Sequence, residues 1–297
     1  MKNEQVELSN PDKIFWPEEG ITKGDLLNYY QYIAPYILPY LKNRPLSLKR
    51  NPNGIKDEGF YQKDAAEIAP EWIKTAEIYA ESTKKIVHYL ICNNIKSLLF
   101  IANLGCIEMN PWNSVVSTQD YPDYLVIDID PSAKNSFDEV IDVALAVKEV
   151  LDEAGITGCC KTSGATGLHV YIPCNKKYKY EEVRSFAKII ASLVHDKLPG
   201  ITTMERSLSK RRNDQIYIDY LQNSRGQTLA SAYSARPRPG ATVSTPLDWK
   251  EVKHGLLPAQ FTIKTIPSRL KRKPADLFAP VLGKGMNMRD ALKSLHV

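Results

Sequence analysis

The segment YLVIDID, from Tyr124 to Asp130, most constrains the fold because it has the pattern of a buried strand that ends in two acids. Successive side chains of a strand point to opposite faces, so Asp128 and Asp130 share one face while Ile129 points to the other. Neighbouring buried carboxylates are costly unless something positive lies between them, such as arginine, lysine or a divalent cation. The segment therefore predicts a cation site at this end of the strand.

The segments after these acids alternate between helical and strand patterns. Apolar residues recur at helical intervals from Phe137 to Leu151, and Gly155 is suited to end that helix. ITGCCK and LHVYIPC predict two strands around the turn SGATG, a helix is predicted from about Tyr180 to Lys197, and QIYIDYL predicts a further strand. This order indicates an α/β or α+β core with a central sheet.

The N-terminal part predicts a long helix followed by shorter elements. Thr22 is a suitable N-cap residue, and the helix after it carries Tyr29, Tyr30, Ile33 and Ile37 at core spacing. A short strand around PLSLKR and a helix in NNIKSLLFIANLG follow. The length of 297 residues allows one large unit or two lobes, and we expect two lobes around one cleft.

Charge narrows the possible partners. The chain has 39 lysines and arginines against 34 acids, and the net charge of +5 permits a polyanionic partner without requiring one. The positive residues cluster in KRNPNG, SLSKRRND, SARPRPG and SRLKRKP. Although such runs are commonly solvated faces, four of them in one chain favour an anion-binding surface.

Cysteine usage and hydropathy narrow the possible compartment. The five cysteines include no C-x-x-C pair, which predicts buried thiols in a reducing compartment rather than a disulfide framework or a zinc site. No apolar leader opens the chain, and polar residues interrupt the longest apolar region, YLICNNIKSLLFIANLG. We therefore expect a soluble intracellular protein with no membrane partner.

A third acid strengthens the case for a metal. A D-x-D pair alone is a weak signal, since it occurs in several classes of metal-dependent enzyme and is sometimes only a turn at a strand end. In QIYIDYL, however, Tyr217, Asp219 and Leu221 would share one strand face. Three carboxylates holding two magnesium or manganese ions are suited to in-line phosphoryl transfer.

The turn in KTSGATGLHVY offers groups for a phosphate. Gly164 and Gly167 would let the backbone turn with its N–H groups exposed, Ser163 offers a hydroxyl, and His169 could donate to a phosphate oxygen. An ordinary glycine hairpin with a core histidine is the simpler alternative. Beside three acids and the two arginines of SARPRPG, the turn predicts a triphosphate pocket.

In this order, DIDP, SGATGLH and RRNDQIYIDYLQN followed by AYSARPRPG resemble the three motifs of archaeo-eukaryotic primase-type polymerases. They are similar in particular to the polymerase domain of bacterial ligase D and its archaeal stand-alone relatives. RPLSLKR, GFYQK and NLGCIEMNPW belong to the resemblance, which runs from about Leu8 to near the C-terminus. It implies an α/β (α+β) primase-polymerase fold in which helices flank central mixed or antiparallel sheets.

The resemblance implies a single catalytic domain over residues 1–297, with a DNA-contacting lobe at about 1–120 and a catalytic lobe at about 121–297. It implies a template-directed nucleotidyltransferase that extends primers, fills gaps in non-homologous end joining and is able to use ribonucleotides. Asp128 and Asp130 would hold two ions, Mn²⁺ or Mg²⁺, and Asp219 would complete the site of the ion that activates the primer 3′-hydroxyl.

Further residues are implied to bind substrates. Those implied to bind the nucleoside triphosphate are Asn110, Ser163, Thr166, His169, Gln222, Arg236 and Arg238. Those implied to bind DNA are Lys13, Lys23, Lys49, Phe60, Tyr61 and Lys63. The two aromatics would stack on bases, with a Phe-Tyr pair in the core as the alternative. Lys13 and Lys23 match a pocket for the 5′-phosphate at a break.

Two positions depart from the pattern of the family. Asn110 in IEMNPW stands where the family usually has a histidine, and because Asn cannot become a cation, the choice of sugar stays open. Thr166 stands where many relatives carry a lysine, which removes one positive contact to the triphosphate and predicts weaker binding.

The implied partners are gapped DNA and double-strand-break ends with a 5′-phosphate, together with Ku and a DNA ligase in the same or a separate chain. The implied location is the prokaryotic cytoplasm, at the nucleoid. A ligase-type K-x-D-G motif does not occur, which suits both a free-standing protein and a fragment of a longer ligase. Two other functions stay open: a metal-dependent nuclease or phosphodiesterase, and a non-catalytic DNA-end-bridging module.

Overall fold

The computed structural model describes residues 7–81 and 83–297, which form two compact units. The first unit comprises the described residues of Met1–Ser117 with Thr228–Ser244 and Ala259–Ala275, and the second comprises Thr118–Gln227, Thr245–Pro258 and Asp276–Val297. The lobe boundary expected near residue 120 lies close to the break after Ser117. Two segments of the expected C-terminal lobe nevertheless belong to the first unit, so neither unit is continuous in sequence.

In its described residues, the first unit combines three α-helices with short antiparallel sheets. Its sheets are β1 with β2, β5 with β6, and a three-stranded sheet in the order β4-β3-β7. The elements are β1 (Ile14–Trp16), β2 (Ile21–Thr22), α1 (Lys23–Leu41), β3 (Leu46–Arg50), β4 (Phe60–Gln62), β5 (Thr75–Ala80), β6 (Lys85–Leu90), α2 (Ile95–Asn103), β7 (Cys106–Pro111) and α5 (Ile266–Arg272).

Helix α1 begins where the sequence predicts. The Thr22 hydroxyl accepts a hydrogen bond from the Asp25 N–H while the Asp25 carboxylate accepts one from the Thr22 N–H, which satisfies two otherwise unpaired donors. The inward face of the helix is confirmed by the burial of all four residues expected in the core, Tyr29, Tyr30, Ile33 and Ile37.

The second unit is built on a six-stranded sheet in the order β11-β12-β8-β10-β9-β13, in which only the β11–β12 pair is parallel. Helices α3 and α4 pack against each other and against the sheet. The elements are β8 (Tyr124–Asp130), α3 (Phe137–Glu153), β9 (Cys159–Thr162), β10 (Leu168–Pro173), α4 (Tyr180–Lys197), β11 (Thr202–Thr203), β12 (Ile216–Asp219), β13 (Pro246–Leu247) and α6 (Met288–Ser294). The expected fold class of helices flanking mixed and antiparallel sheets is confirmed.

The strands and helices predicted for this unit are observed, but one strand is shorter than expected. The predicted β8 and α4 are observed, and Gly155 follows α3 with a φ of +66°, a left-handed conformation that favours glycine. β12, however, ends at Asp219, so the expectation that Leu221 lies on the same strand face is wrong. Leu221 instead bends back, and its N–H donates to the Asp219 carboxylate over 2.7 Å.

Two general expectations are also addressed by the structure. All five cysteines are free and buried, as predicted, so they contribute to the core and form no disulfide. Within residues 7–81 and 83–297, none of the helices combines the length and the apolar composition that a membrane span requires.

Candidate active site and nucleic-acid interface

A row of polar side chains crosses the sheet of the second unit. Asp219 on β12 is the register partner of Asp128 on β8, Asp128 is the partner of His169 on β10, and His169 is the partner of Lys161 on β9. Directly opposite residues of an antiparallel pair project from the same face with Cβ atoms about 4.5–5.5 Å apart. Four residues that are distant in sequence therefore form one continuous line.

Asp130 lies beside this row at the end of β8, opposite Tyr217. Withdrawal of its carboxyl group from water raises the pKa of Asp130, the Arg211 guanidinium opposes that shift, and the charge of Asp219 adds to it. The Arg211 guanidinium lies 3.7 Å from the centroid of the Tyr217 ring, so a residue of the basic run SLSKRRND belongs to this site. Sequence reasoning missed Arg211 because nothing in the pattern places the loop over the strand, whereas Tyr217 was expected on the strand face of Asp219.

The Asp219 carboxylate is held by three hydrogen bonds. It accepts from the Leu221 N–H at 2.7 Å, from the Tyr217 hydroxyl at 3.2 Å and from the Gln222 amide at 3.2 Å. Gln222, predicted to bind the nucleotide, is thus brought to the acid cluster. These bonds fix the direction of the carboxylate.

The donor set suits a hard divalent cation. In the part of the chain that the structure describes, no three side chains of His, Cys, Asp or Glu are close enough to share one ion. Asp128 and Asp219 are nevertheless register partners, and like charges directly opposite each other repel. Carboxylate oxygens are the ligands that Mg²⁺ prefers, and Mn²⁺ takes them too. The two facing carboxylates therefore fit such an ion by residue type, whereas the three acids are not gathered around one point.

His169 is buried between an acid and a lysine. Its Nε2 lies 3.3 Å from Oδ1 of Asp128, and its Nδ1 lies 2.9 Å from Nζ of Lys161. The alternative of a core histidine is right about burial, since only 3% of His169 is exposed. It is wrong about the surroundings, because the ring belongs to the polar row. Lys161, fully buried, was missed in the sequence. Nothing in the sequence signals this contact, because the register of β9 against β10 decides it.

The glycine turn differs from its expected form. The Ser163 hydroxyl oxygen accepts hydrogen bonds from the Ala165 N–H at 3.0 Å and the Gly167 N–H at 3.1 Å. The expectation that the N–H groups of the turn are exposed is therefore wrong for these two residues, since the serine side chain satisfies them. Thr166 is exposed at the tip of the turn.

The two glycines of the turn serve different purposes. Gly164 has a φ of +74°, which a residue with a Cβ rarely adopts. Gly167 has no such φ, but a Cβ at this position would lie 2.2 Å from the carbonyl oxygen of Ile129. Gly167 is thus required for the close approach of β8 and not for the turn.

A second polar row lies in the first unit. Tyr61 on β4 is the register partner of Lys49 on β3, and Lys49 is the partner of Glu108 on β7. The Lys49 Nζ lies 5.0 Å from the centroid of the Tyr61 ring. The guanidinium of Arg50 lies 5.3 Å from the ring of Phe60. Each aromatic ring therefore has the cationic group of a neighbouring side chain close to it.

Exposure distinguishes the two interpretations of the aromatic pair. Phe60 is 48% exposed and Tyr61 is 60% exposed, so the alternative of a Phe-Tyr pair in the core is wrong. Lys63 is exposed beyond β4. Exposed aromatic rings beside cations are the arrangement on which bases of single strands stack.

Glu108 pairs with a predicted phosphate-binding residue. Its Oε2 lies 2.6 Å from the Nε of Arg236, with the Glu108 side chain 4% exposed and that of Arg236 16% exposed. Arg238 is exposed. Asn110, on the same strand as Glu108, is buried and donates to the carbonyl oxygen of Ser47 at 3.2 Å and to that of Glu108 at 3.4 Å. The amide of Asn110 therefore stabilises the sheet.

Lys13 and Lys23 are brought together at the start of α1. The Lys23 N–H donates to the Lys13 carbonyl oxygen, and the exposed Lys13 ammonium donates to Asn53 at 2.5 Å. Lys23 is buried, and its Nζ donates to the carbonyl oxygen of Ser9 at 2.6 Å. Burial lowers the pKa of Lys23, and the charge of Lys13 lowers it further. The two lysines are thus linked through the backbone, and each ammonium donates to an oxygen atom of the protein.

Comparison with known proteins identifies the family. The sequence matches the family described as LigD, primase-polymerase domain, over residues 22–278. The chain belongs to this family. LigD primase-polymerase domains are DNA-directed nucleotidyltransferases of non-homologous end joining, which confirms the resemblance and the enzyme class inferred from the sequence.

Relatives of this LigD domain are bacterial. It is 35% identical over 276 residues to the bifunctional non-homologous end joining protein LigD of Bacillus subtilis, covering 92% of this chain and 44% of that protein. It is 29% identical over 301 residues to the multifunctional non-homologous end joining protein LigD of Mycolicibacterium smegmatis, covering 98% of this chain and 39% of that protein. The chain thus spans less than half of either relative.

A solved structure shares the fold of this LigD domain. The polymerase domain from Mycobacterium tuberculosis ligase D, in complex with DNA, superposes with a TM-score of 0.86 at 27% sequence identity. The match covers 96% of this chain and 100% of that chain. The similarity therefore extends over nearly the whole chain.

Proposed function

We propose that this chain is a template-directed polymerase that extends primers and fills short gaps during the repair of DNA double-strand breaks by non-homologous end joining. The observation that carries the proposal is the row in which Asp219 and Asp128 face each other beside His169. In a LigD primase-polymerase domain, this is a set of groups suited to holding metal ions next to a phosphate.

Asp128, Asp130 and Asp219 would hold two ions, Mn²⁺ or Mg²⁺. When bound, the ions would activate the primer 3′-hydroxyl and neutralise charge that develops on the leaving phosphate. The protein contributes the orientation of the ligands. Tyr217 and the Leu221 N–H aim the Asp219 carboxylate, and the β8–β12 register fixes its distance from Asp128.

Within the second unit, Ser163, Thr166, His169 and Gln222 would contact the incoming nucleoside triphosphate. His169 is the strongest of these candidates because its Nε2 already faces an acid of the cluster. Thr166 is exposed and uncharged, so its contribution would be a hydroxyl donor in place of the ammonium of many relatives.

Within the first unit, Phe60 and Tyr61 would stack on bases, and Lys49 and Lys63 would contact the backbone of DNA. Lys13 and Lys23 would bind a 5′-phosphate at the start of α1, where the positive end of the helix dipole also favours an anion. Arg236 and Arg238 are proposed phosphate contacts, and Glu108 holds the first of them in a fixed direction.

The proposed partners are gapped or broken DNA, Ku and a DNA ligase in the same or a separate chain. The relatives are non-homologous end joining proteins, and the similar solved structure is a complex with DNA. We propose that the protein acts in the prokaryotic cytoplasm at the nucleoid.

The deciding experiment incubates the protein with a labelled primer on a gapped template, Mn²⁺ and nucleotides. Extension that follows the template sequence is expected. Shortening of the primer would instead show a nuclease, and an unchanged primer bound by the protein would show an end-bridging module. Asp128→Asn is the matched control, because it retains the shape of the side chain and removes the charge.

A further inference from the structure

We propose that Lys161 is a positioning residue that fixes His169 in the tautomer whose hydrogen is on Nε2. The inference about the tautomer concerns this chain alone, whereas its consequence for nucleotide binding rests on the proposed function. Lys161 lies in the second unit, on β9, and occupies the end of the polar row that begins at Asp219.

The geometry places the imidazole between two fixed groups. The Lys161 Nζ is 2.9 Å from Nδ1, and the Asp128 Oδ1 is 3.3 Å from Nε2. Both neighbours sit on strands that flank β10, at positions directly opposite His169. Each ring nitrogen therefore contacts a side chain, and both of these side chains belong to residues whose backbone is held in the sheet.

The donor and acceptor capacities of these groups select one tautomer. A lysine ammonium has three donors and no acceptor, and an ionised carboxylate accepts only. With the hydrogen on Nε2, Lys161 donates to Nδ1 and Nε2 donates to Asp128. With the hydrogen on Nδ1, an N–H would face the ammonium and a lone pair would face the carboxylate. Both contacts would then be repulsive.

Because Lys161 is buried, its ammonium group depends on contacts with the protein rather than with water. The residue is fully buried, and its ammonium also lies 5.4 Å from the centroid of the Tyr171 ring. A desolvated ammonium is costly, so a sheet position occupied by lysine rather than an aliphatic residue needs compensating interactions. The bond to Nδ1 and the ring of Tyr171 supply part of that compensation.

The consequence is a histidine that presents an N–H donor at the acid cluster. In the structure this N–H faces Asp128, and a phosphate oxygen bound beside Asp128 would share that donor or replace Asp128 as its acceptor, whereas a bare Nε2 would repel the phosphate. Lys161 would therefore affect triphosphate binding without touching the nucleotide. Removing it is expected to raise KM for the nucleotide about tenfold, with a smaller change in kcat, since a hydrogen bond to a charged group is lost.

The tautomer is measured first, in the protein without metal or nucleotide. Long-range ¹H–¹⁵N correlation spectra of the imidazole rings distinguish a protonated from an unprotonated nitrogen, and His169→Gln assigns the signals of this residue among the five histidines. Wild type is expected to carry the hydrogen on Nε2. A hydrogen on Nδ1 overturns the proposal. This measurement does not require any lysine variant to fold.

Variants then separate positioning from structural support. Lys161→Met is expected to weaken the tautomer preference, which Asp128 then supports alone, and to raise KM. Lys161→Arg, which keeps donors and charge, is expected to restore both. The matched control is Val170→Ala, since Val170 is equally buried but neighbours His169 on the opposite face of β10. It should lower stability and leave the tautomer unchanged. A tautomer ratio in Lys161→Met that equals that of wild type overturns the proposal.

The two proposals fail in different ways. If wild type does not extend primers while the Nε2 hydrogen is observed, the proposed polymerase function fails and the role of Lys161 in fixing the tautomer stands. If wild type extends primers and Lys161→Met matches it in KM for the nucleotide, the function stands and the positioning role fails.

Discussion

Asp219 and Asp128 face each other across the pair of antiparallel strands β12 and β8, so two like charges occupy directly opposite positions in one sheet. Such pairs are unfavourable by themselves. A bound cation would relieve this repulsion, so the pair is the feature from which the proposed metal and nucleotide chemistry is best tested.

The first prediction concerns activity. Asp128→Asn and Asp219→Asn are each expected to abolish primer extension, because each removes a charged ligand from the proposed two-ion site. Extension with either Mg²⁺ or Mn²⁺ is measured on a gapped template. Substantial synthesis by either variant would remove these acids from the mechanism.

The second prediction separates the acids by stability. Asp219→Ala removes an acceptor of three hydrogen bonds and is expected to lower the free energy of unfolding by about 1–3 kcal/mol. Asp219→Asn should lose less, because its amide oxygen still accepts. Urea denaturation of the metal-free protein compares the two. Equal losses would show that the three bonds contribute little.

The third prediction is a pH dependence at Asp130. Because its pKa is raised in the folded protein, the native state binds more protons than the unfolded state as pH rises above the ordinary carboxyl value. Stability attributable to this group is therefore lost as pH rises through the folded pKa. In the metal-free protein, Asp130→Asn should be more stable than wild type at about pH 7.5, with the difference smaller at about pH 3.5.

Metal provides the control for this measurement. Adding Mn²⁺ at neutral pH is expected to stabilise wild type more than Asp130→Asn, since a ligand that binds only the native state raises its stability. Thermal unfolding with and without Mn²⁺ records the shift. An equal shift in both proteins would place the ion elsewhere.

The fourth prediction concerns the sugar. Ribonucleotides are expected to be incorporated at least as well as deoxyribonucleotides, on the basis of the family. Asn110 is engaged with two backbone carbonyl groups, so Asn110→Ala is expected to cost about 1–2 kcal/mol of stability. Single-nucleotide insertion kinetics with matched sugars measure the preference. A strong preference of wild type for deoxyribonucleotides would refute the expectation.

The fifth prediction concerns the 5′-phosphate. Wild type is expected to bind a gap with a 5′-phosphate more tightly than one without it, and the Lys13→Ala, Lys23→Ala double variant should bind both alike. A charge-assisted contact contributes about 1.5–3 kcal/mol, so losing both lysines could reduce affinity on the order of a hundredfold. Binding is compared at fixed salt, because phosphate contacts are salt-dependent.

Lys42→Ala is the matched control for this comparison. Lys42 is exposed and caps the other end of α1, which places it about 28 Å from Lys23 along the helix axis. The Lys42→Ala variant should preserve the preference for the phosphorylated gap. Because Lys23 is buried and bonded to Ser9, unfolding of the double variant is monitored in parallel.

The boundaries and faces of single elements could be predicted from the sequence because they depend on local chemistry. Thr22 begins α1 through hydrogen bonds to residues three positions away, Gly155 follows α3 in a left-handed conformation, and strand alternation places Asp128 and Asp130 on one face. Each of these depends on neighbours within one or two turns, so composition and spacing contain the information.

The partners of the site residues depended on strand register and were decided only by the tertiary structure. Lys161 meets His169 because β9 and β10 pair at that register, and Arg211 covers Tyr217 because a loop folds back over β12. Ser163 satisfies the N–H groups that the sequence suggested were exposed. A shift of one residue would turn each side chain to the other face, and that choice is made by packing over the whole sheet rather than by any local motif.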